Sequence, residues 1–189
     1  MFDLDQFVTD CKQALTESEQ QLAIKEVLER AVRNPEQVAS VLPPTKAEIV
    51  PLYAAPDLSI FKVVWAPGMD IPAHDHLMWA AIGLYGGQED NTLYRRQSDT
   101  IVRAGGRELR TKDVGLFGRE TIHSIHNPLG ALTGAIHVYG GDLTTKVGRS
   151  EWDVESGTQS PMDFARTREI FEDANARLAV ADALGGMAP

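Results

Sequence analysis

Cysteine is nearly missing from this chain: of 189 residues only Cys11 is one. A lone cysteine excludes an intrachain disulfide framework and a thiolate-based zinc site. Positive charge is also in short supply. Eighteen lysines and arginines face 27 aspartates and glutamates, for a formal net charge of −9. Nucleic acid and anionic membranes are bound by basic patches, so neither is an expected partner. No apolar run approaches the roughly 20 residues that a membrane helix needs. The opening Met1-Phe2-Asp3-Leu4-Asp5 lacks a basic stretch leading into an apolar run, so no secretory signal is visible. The expectation is a soluble cytoplasmic protein. Histidine is scarce as well: there are five, all between His74 and His137.

What the chain does contain is enough apolar material for a core, 43% hydrophobic residues against 24% charged. The length fits a single domain, residues 1–189, with N-terminal helices over 1–45, a β region over 48–155 and a C-terminal helix over 160–185. Leu4, Phe7, Val8, Cys11 and Leu15 recur at helical spacing, which makes Cys11 a core residue. A second helix is expected from Ser18, with Gln21 completing a capping box. A third is expected from Asn34-Pro35 to Pro43-Pro44. The pattern then changes to short apolar runs: Ile49 to Tyr53, Leu58 to Trp65, Trp79 to Tyr85, Thr92 to Arg95, Thr100 to Arg103, Val114 to Phe117, Ile122 to Ile125 and Leu132 to Tyr139. Turn signals such as Gly86-Gly87, Gly105-Gly106 and Asn127-Pro128 separate them, which points to an antiparallel sandwich or barrel. Ser160-Pro161 reads as a new helix start and Gly185-Gly186 as its stop.

The histidines fall in three clusters. In a strand, residues two apart share a face, so His74 and His76 would aim two imidazoles into one cavity. Neutral imidazole is the commonest protein metal ligand, and a third must come from another strand. His123, followed by Asn127 four residues on, is the candidate. His126 is the alternative, since the two cannot easily face one metal from a regular strand. Three histidines leave coordination positions open for a substrate or dioxygen.

Gly68-x5-His74-x-His76 resembles the first motif of the cupin superfamily, and His123-x3-Asn127 resembles the end of its second. The glutamate usual after the histidine pair is missing, since Ala80 and Ala81 stand there. Three-histidine sites of this kind resemble those of the cysteine dioxygenase family of thiol dioxygenases. His137-Val138-Tyr139 is similar to that family's Ser-x-His-x-Tyr stretch, with Ala135 in place of the serine. The crosslinking cysteine of some members is absent, and Ala81 lies at about its place. No arginine matches the one that binds the carboxylate of cysteine, because Val50-Pro51-Leu52-Tyr53 carries no cation.

This resemblance implies a mainly β cupin fold, a double-stranded β-helix or jelly-roll barrel with helices at both termini. It implies iron(II) on His74, His76 and His123, although imidazoles also suit zinc, nickel and other divalent metals. Tyr139 and His137 are the expected catalytic pair, and the reaction is the oxidation of a small thiol, cysteine or a mercapto acid, by dioxygen to its sulfinate. Lys62, Trp79, Arg95 and Arg96 are candidate substrate contacts. A cupin enzyme of other chemistry, such as a carbon–carbon-cleaving dioxygenase, or a non-catalytic metal- or ligand-binding cupin remains an alternative. The sequence does not set the oligomeric state.

Overall fold

The computed structural model describes residues 1–185. Three helices come first, α1 (Leu4–Ala14), α2 (Gln20–Val32) and α3 (Pro35–Val41). Asp3 caps α1 by accepting from the Gln6 amide at 3.0 Å. The expected capping box of α2 does not form. Glu19 occupies the N-cap without a side-chain bond, and Gln21 instead donates to the backbone oxygens of Ala80 and Phe117, both at 2.9 Å. Those carbonyls belong to the sheet below, so Gln21 fastens the helix layer to it.

Eleven strands follow: β1 (Glu48–Ala55), β2 (Leu58–Trp65), β3 (Asp70–Asp75), β4 (Ala80–Gly86), β5 (Gln88–Gln97), β6 (Thr100–Arg110), β7 (Val114–Phe117), β8 (Ile122–His126), β9 (Thr133–Tyr139), β10 (Ser150–Trp152) and β11 (Gln159–Pro161). They form two antiparallel sheets, ordered β1-β2-β9-β4-β7 and β11-β10-β3-β8-β5-β6. With helices at both ends this is the mainly β cupin sandwich. The chain closes with α4 (Phe164–Gly185). Ser160-Pro161, expected to start that helix, belongs to β11; the helix begins three residues later, after Asp163 accepts from the Ala165 amide. Of the expected Gly185-Gly186 stop, Gly186 lies outside the described residues. Among the described residues no helix is long and apolar enough to cross a membrane.

Strand alternation divides the apolar residues between two cores. Phe61, Val63, Trp65, Ile82, Phe117, Ile125, Ala135 and Tyr139 face the space between the sheets. Their neighbours Leu58, Ile60, Ala81, Ile136 and Val138 face outward and pack with Cys11, Ile24, Leu28 and Val32 of the helices. The N-terminal helices therefore cover the back of the five-stranded sheet, while Phe171 and Ala174 of α4 join the inner core at the barrel's end. Cys11 is fully buried, and burial pushes its thiol up to about 12, so it behaves as an apolar core residue.

Gly68 and Asn127, distant in sequence, meet in space. Gly68 adopts φ +64°, where a side chain would be strained, and donates its N–H to the Asn127 backbone oxygen at 3.1 Å. The Asn127 amide donates in turn to the backbone oxygens of Trp65, Ala66 and Ala131. These two residues pin the β2–β3 connection against the end of β8, and so fix the strand that carries His74.

Candidate metal centre

His74 lies near the end of β3, directly opposite His123 on the neighbouring β8. The pairing sets these two rings side by side. His76 follows just beyond the strand end, before Leu77, which takes the left-handed conformation at φ 56°. His74 Nε2 and His76 Nε2 are 3.1 Å apart, and His123 Nε2 and His76 Nε2 are 3.5 Å apart. One ring nitrogen from each histidine lies within 4.8 Å of the other two. His126, in contrast, is on the outside of the barrel, 2.8 Å from the Asp70 carboxylate.

The donor set fits a divalent metal. Two imidazole nitrogens each about 2.0–2.1 Å from one ion would be about 2.9–3.4 Å apart for angles between right and tetrahedral. The tautomers agree. His74 Nδ1 faces the Pro72 carbonyl oxygen at 2.9 Å, and His123 Nδ1 faces the Asn91 side-chain oxygen at 2.6 Å. A carbonyl oxygen only accepts, so both Nδ1 atoms carry the proton, and both Nε2 lone pairs converge on one point. Burial disfavours the protonated rings. It pulls His74 down to about 4, assisted by the nearby Arg149 cation, and holds His76 and His123 well below the ordinary histidine value. Neutral imidazoles are the form that binds a metal.

A cavity of about 460 Å³ opens beside the three rings, lined among others by His74, His76, His137, Tyr139 and Arg149. His74 and His123 come from the six-stranded sheet, with His76 just past the end of β3, and His137 and Tyr139 come from β9 of the five-stranded sheet opposite. His137 Nδ1 and the Tyr139 hydroxyl are 3.0 Å apart, and the Tyr139 ring meets the His76 ring edge to face at 5.0 Å. Burial raises the Tyr139 hydroxyl's pKa, so it keeps its proton. All five residues expected at the centre are thus in one place.

The four candidate substrate contacts are elsewhere. Lys62 points to the back of its sheet, where its Nζ binds the Pro43 carbonyl oxygen at 2.7 Å and the Glu48 carboxylate at 2.6 Å. Trp79 packs over Gly140, a position at which a Cβ would come within 2.1 Å of the indole. Arg95 is exposed, and Arg96 reaches Asp75 and stacks on Trp152 at 4.8 Å outside the barrel. None of the four lines the cavity.

Three residues that sequence reasoning passed over stand in their place. Arg149, at the entry to β10, is buried and lines the cavity. Its Nε donates to the Asp75 backbone oxygen at 3.0 Å, and its guanidinium lies 5.7 Å from the Phe164 ring centre. Burial lowers its pKa, against the opposing pull of Tyr139 and Asp75. Glu89 and Asn91 lie on the inward face of β5 and are buried behind the histidines. The only signal for them was a Glu-x-Asn pair of one parity beside a glycine turn. Arg149 had no signal, since it stands outside any periodic stretch.

No protein-family model matches the sequence. The chain is similar in structure to a protein of Bacillus halodurans, with TM-score 0.49, 15% identity, and coverage of 55% of this chain and 77% of that one. It is similar to the cupin domain of Schizosaccharomyces pombe Cnp3, with TM-score 0.45, 15% identity, and coverage of 55% and 68%. It is also similar to an RmlC-like cupin with a double-stranded β-helix fold from Methanocaldococcus jannaschii, with TM-score 0.42, 13% identity, and coverage of 53% and 84%. The class rests on this chain's own architecture, a cupin sandwich with three histidines converging between its sheets in a set able to hold a metal ion.

Proposed function

We propose that this protein is a non-haem iron(II) thiol dioxygenase acting on a small thiol that carries a carboxylate. One observation carries the reading: two histidines of a neutral three-histidine cluster, a tyrosine and a buried arginine share the walls of a single small cavity. The reaction joins one thiol and one dioxygen into a sulfinic acid, with sulfur losing four electrons and dioxygen gaining them. Iron(II), when bound, supplies the open positions at which a thiolate and dioxygen meet and the electrons that make dioxygen reactive. Arg149 binds the substrate carboxylate, and its planar fork suits that group better than a lysine would. His74, His76 and His123 stay neutral, the form in which they would hold the metal. Tyr139, held by His137, offers its hydroxyl proton to oxygen atoms at the reacting centre. Trp65, Phe61 and Phe171 line the cavity and limit water.

The test is oxygen consumption by iron-loaded protein against a panel of thiols, with sulfinate identified as product. Mercapto acids are expected to turn over and neutral thiols of equal length to be poor substrates. Arg149→Gln should raise KM for the acids about 10–100-fold, the scale of a lost charged hydrogen bond, and leave neutral thiols unaffected. Oxygen uptake with no thiol, together with cleavage of a carbon–carbon bond, would assign other cupin chemistry. Metal binding without any uptake would assign a binding protein.

A further inference from the structure

Glu89 is a fully buried carboxylate in the middle of the barrel wall. Three nitrogen groups surround it. Trp65 Nε1 donates to Oε2 at 2.7 Å, Asn91 Nδ2 donates to Oε1 at 3.0 Å, and His137 Nε2 faces Oε2 at 3.5 Å. The last separation is too long for a formed hydrogen bond, and His137 Nε2 has no other partner. Burial would raise the Glu89 pKa, but the His137 ring and the two N–H donors outweigh it and hold the group below the ordinary carboxylate value. Glu89 is therefore an anion that can only accept.

Two chains of contacts leave this carboxylate, and both reach the centre. Because the Asn91 NH2 must face Glu89, its oxygen must face His123 Nδ1, at 2.6 Å. That forces the His123 proton onto Nδ1 and leaves Nε2 free for a metal. On the other side, an anion 3.5 Å away demands a proton on His137 Nε2. Nδ1 is then the atom that meets the Tyr139 hydroxyl at 3.0 Å. As an acceptor it holds the tyrosine proton, and as a donor it frees that proton for the cavity. Ala135, where the thiol dioxygenase pattern has a serine, leaves the histidine–tyrosine pair without its third member, and a carboxylate from β5 stands at the far nitrogen of the ring.

We propose that Glu89 is a positioning residue that sets the proton placement on His123 and His137 together, and so couples the form of one metal ligand to the form of the Tyr139 hydroxyl. This rests on reading the three histidines as metal ligands and Tyr139 as their working neighbour.

The experiment reads tautomers directly, by nitrogen NMR of ring-labelled, metal-free full-length protein above pH 7. His123 is expected to carry its proton on Nδ1, and His137 to carry one on Nε2. A wild-type His123 protonated on Nε2, or a His137 without a proton on Nε2, overturns the proposal outright. Glu89→Gln puts an amide donor against either Asn91 or Trp65 and His137, whichever way it turns. It is expected to shift the His123 tautomer in the first orientation or the His137 tautomer in the second, and, where His123 shifts, to weaken zinc binding about 10–100-fold, the scale for losing a partner that orients a ligand. Unchanged tautomers and unchanged zinc affinity would sink the idea. In the double variant Glu89→Gln with Asn91→Asp, the new amide at position 89 again finds an acceptor at position 91, and position 91 again accepts from His123. That variant is expected to restore both tautomers and zinc affinity even if the single variant does not fold. A folded double variant with His123 protonated on Nε2 counts against the proposal. Because neither thiol nor oxygen is used, failure of the proposed reaction leaves these outcomes readable on their own.

Discussion

His123 Nδ1 lies 2.6 Å from the side-chain oxygen of Asn91, and both residues are buried away from water. That contact decides what the opposite nitrogen of the ring can do. With its proton committed to Asn91, His123 presents a lone pair to the point where His74 and His76 also converge. A lone pair held in place this way suits a cation, and metal-ligating histidines are commonly oriented by such partners.

Replacing His74, His76 or His123 by alanine is accordingly expected to remove stoichiometric metal, whereas His126→Ala should keep it. Asn91→Leu should leave the three ligands in place but weaken metal binding about 10–100-fold. Metal analysis of the purified variants and a zinc titration check this. Full metal content in any of the three ligand variants would remove that residue from the set.

Much of this centre could be read from strand parity. His74 and His76 two apart, and His137 and Tyr139 two apart, share faces as a pleated backbone requires, although His76 sits just past the end of its strand. The strand Leu58–Trp65 and the strand Val114–Phe117 were legible to the residue, because turn residues bound an apolar run on both sides. The hairpin of β5 and β6 was not. Its outer half is polar, and Gly105-Gly106, expected as a turn, runs through β6 where the register slips between Leu93 and Tyr94. Strand β10 has three residues, too few for any periodicity, and Arg149 at its start went unseen for that reason. Lys62 was misplaced because an isolated cation in an apolar run looks alike on either face; its pairing with Glu48, fourteen residues away, is a tertiary fact.

The metal-free protein should lose stability as pH falls from about 6.5 toward 4. His74 titrates near 6.5 when unfolded and at about 4 in the fold, so in that window the unfolded state binds more protons. Its contribution is complete above pH 6.5 and is lost as pH falls through the folded value. Each depressed histidine steepens the dependence by about 1.4 kcal/mol per pH unit, and His76 and His123 act in the same direction. Thermal melts between pH 7 and 5, above the range where most carboxylates titrate, isolate this effect. A flat Tm there, or a slope unchanged in a His74→Gln variant, would contradict it.

The helix layer is expected to matter for stability alone. Leu28 is fully buried against the back of the five-stranded sheet, and a Cβ at Gly83 would come within 3.1 Å of it. Leu28→Ala should cost about 2–5 kcal/mol, the range for a buried leucine truncated to alanine. Removing residues 1–31 should expose the sheet's apolar back and give insoluble or unfolded protein. Chemical denaturation of Leu28→Ala, with metal content and thiol preference measured alongside, tests the division of labour. A variant that keeps its stability but changes its substrate preference would show that the helices reach the chemistry.

Tyr139→Phe separates the hydroxyl from the ring. The ring packs against Phe61 at 5.9 Å and His76 at 5.0 Å, and phenylalanine preserves both contacts. The hydroxyl is 3.0 Å from His137 Nδ1 and is buried, so removing it leaves the imidazole without that partner but takes no ligand from the metal. Metal content and the fold should therefore survive. If the hydroxyl donates to oxygen atoms at the reacting centre, turnover should fall about a hundredfold, the scale for losing one well-placed donor. The loss should appear in kcat, with KM little changed, if Arg149 and the metal hold the substrate as proposed. A loss confined to KM would instead place the hydroxyl in substrate binding. Parent-level turnover by iron-loaded Tyr139→Phe on the best thiol would leave Tyr139 as a wall of the cavity and nothing more.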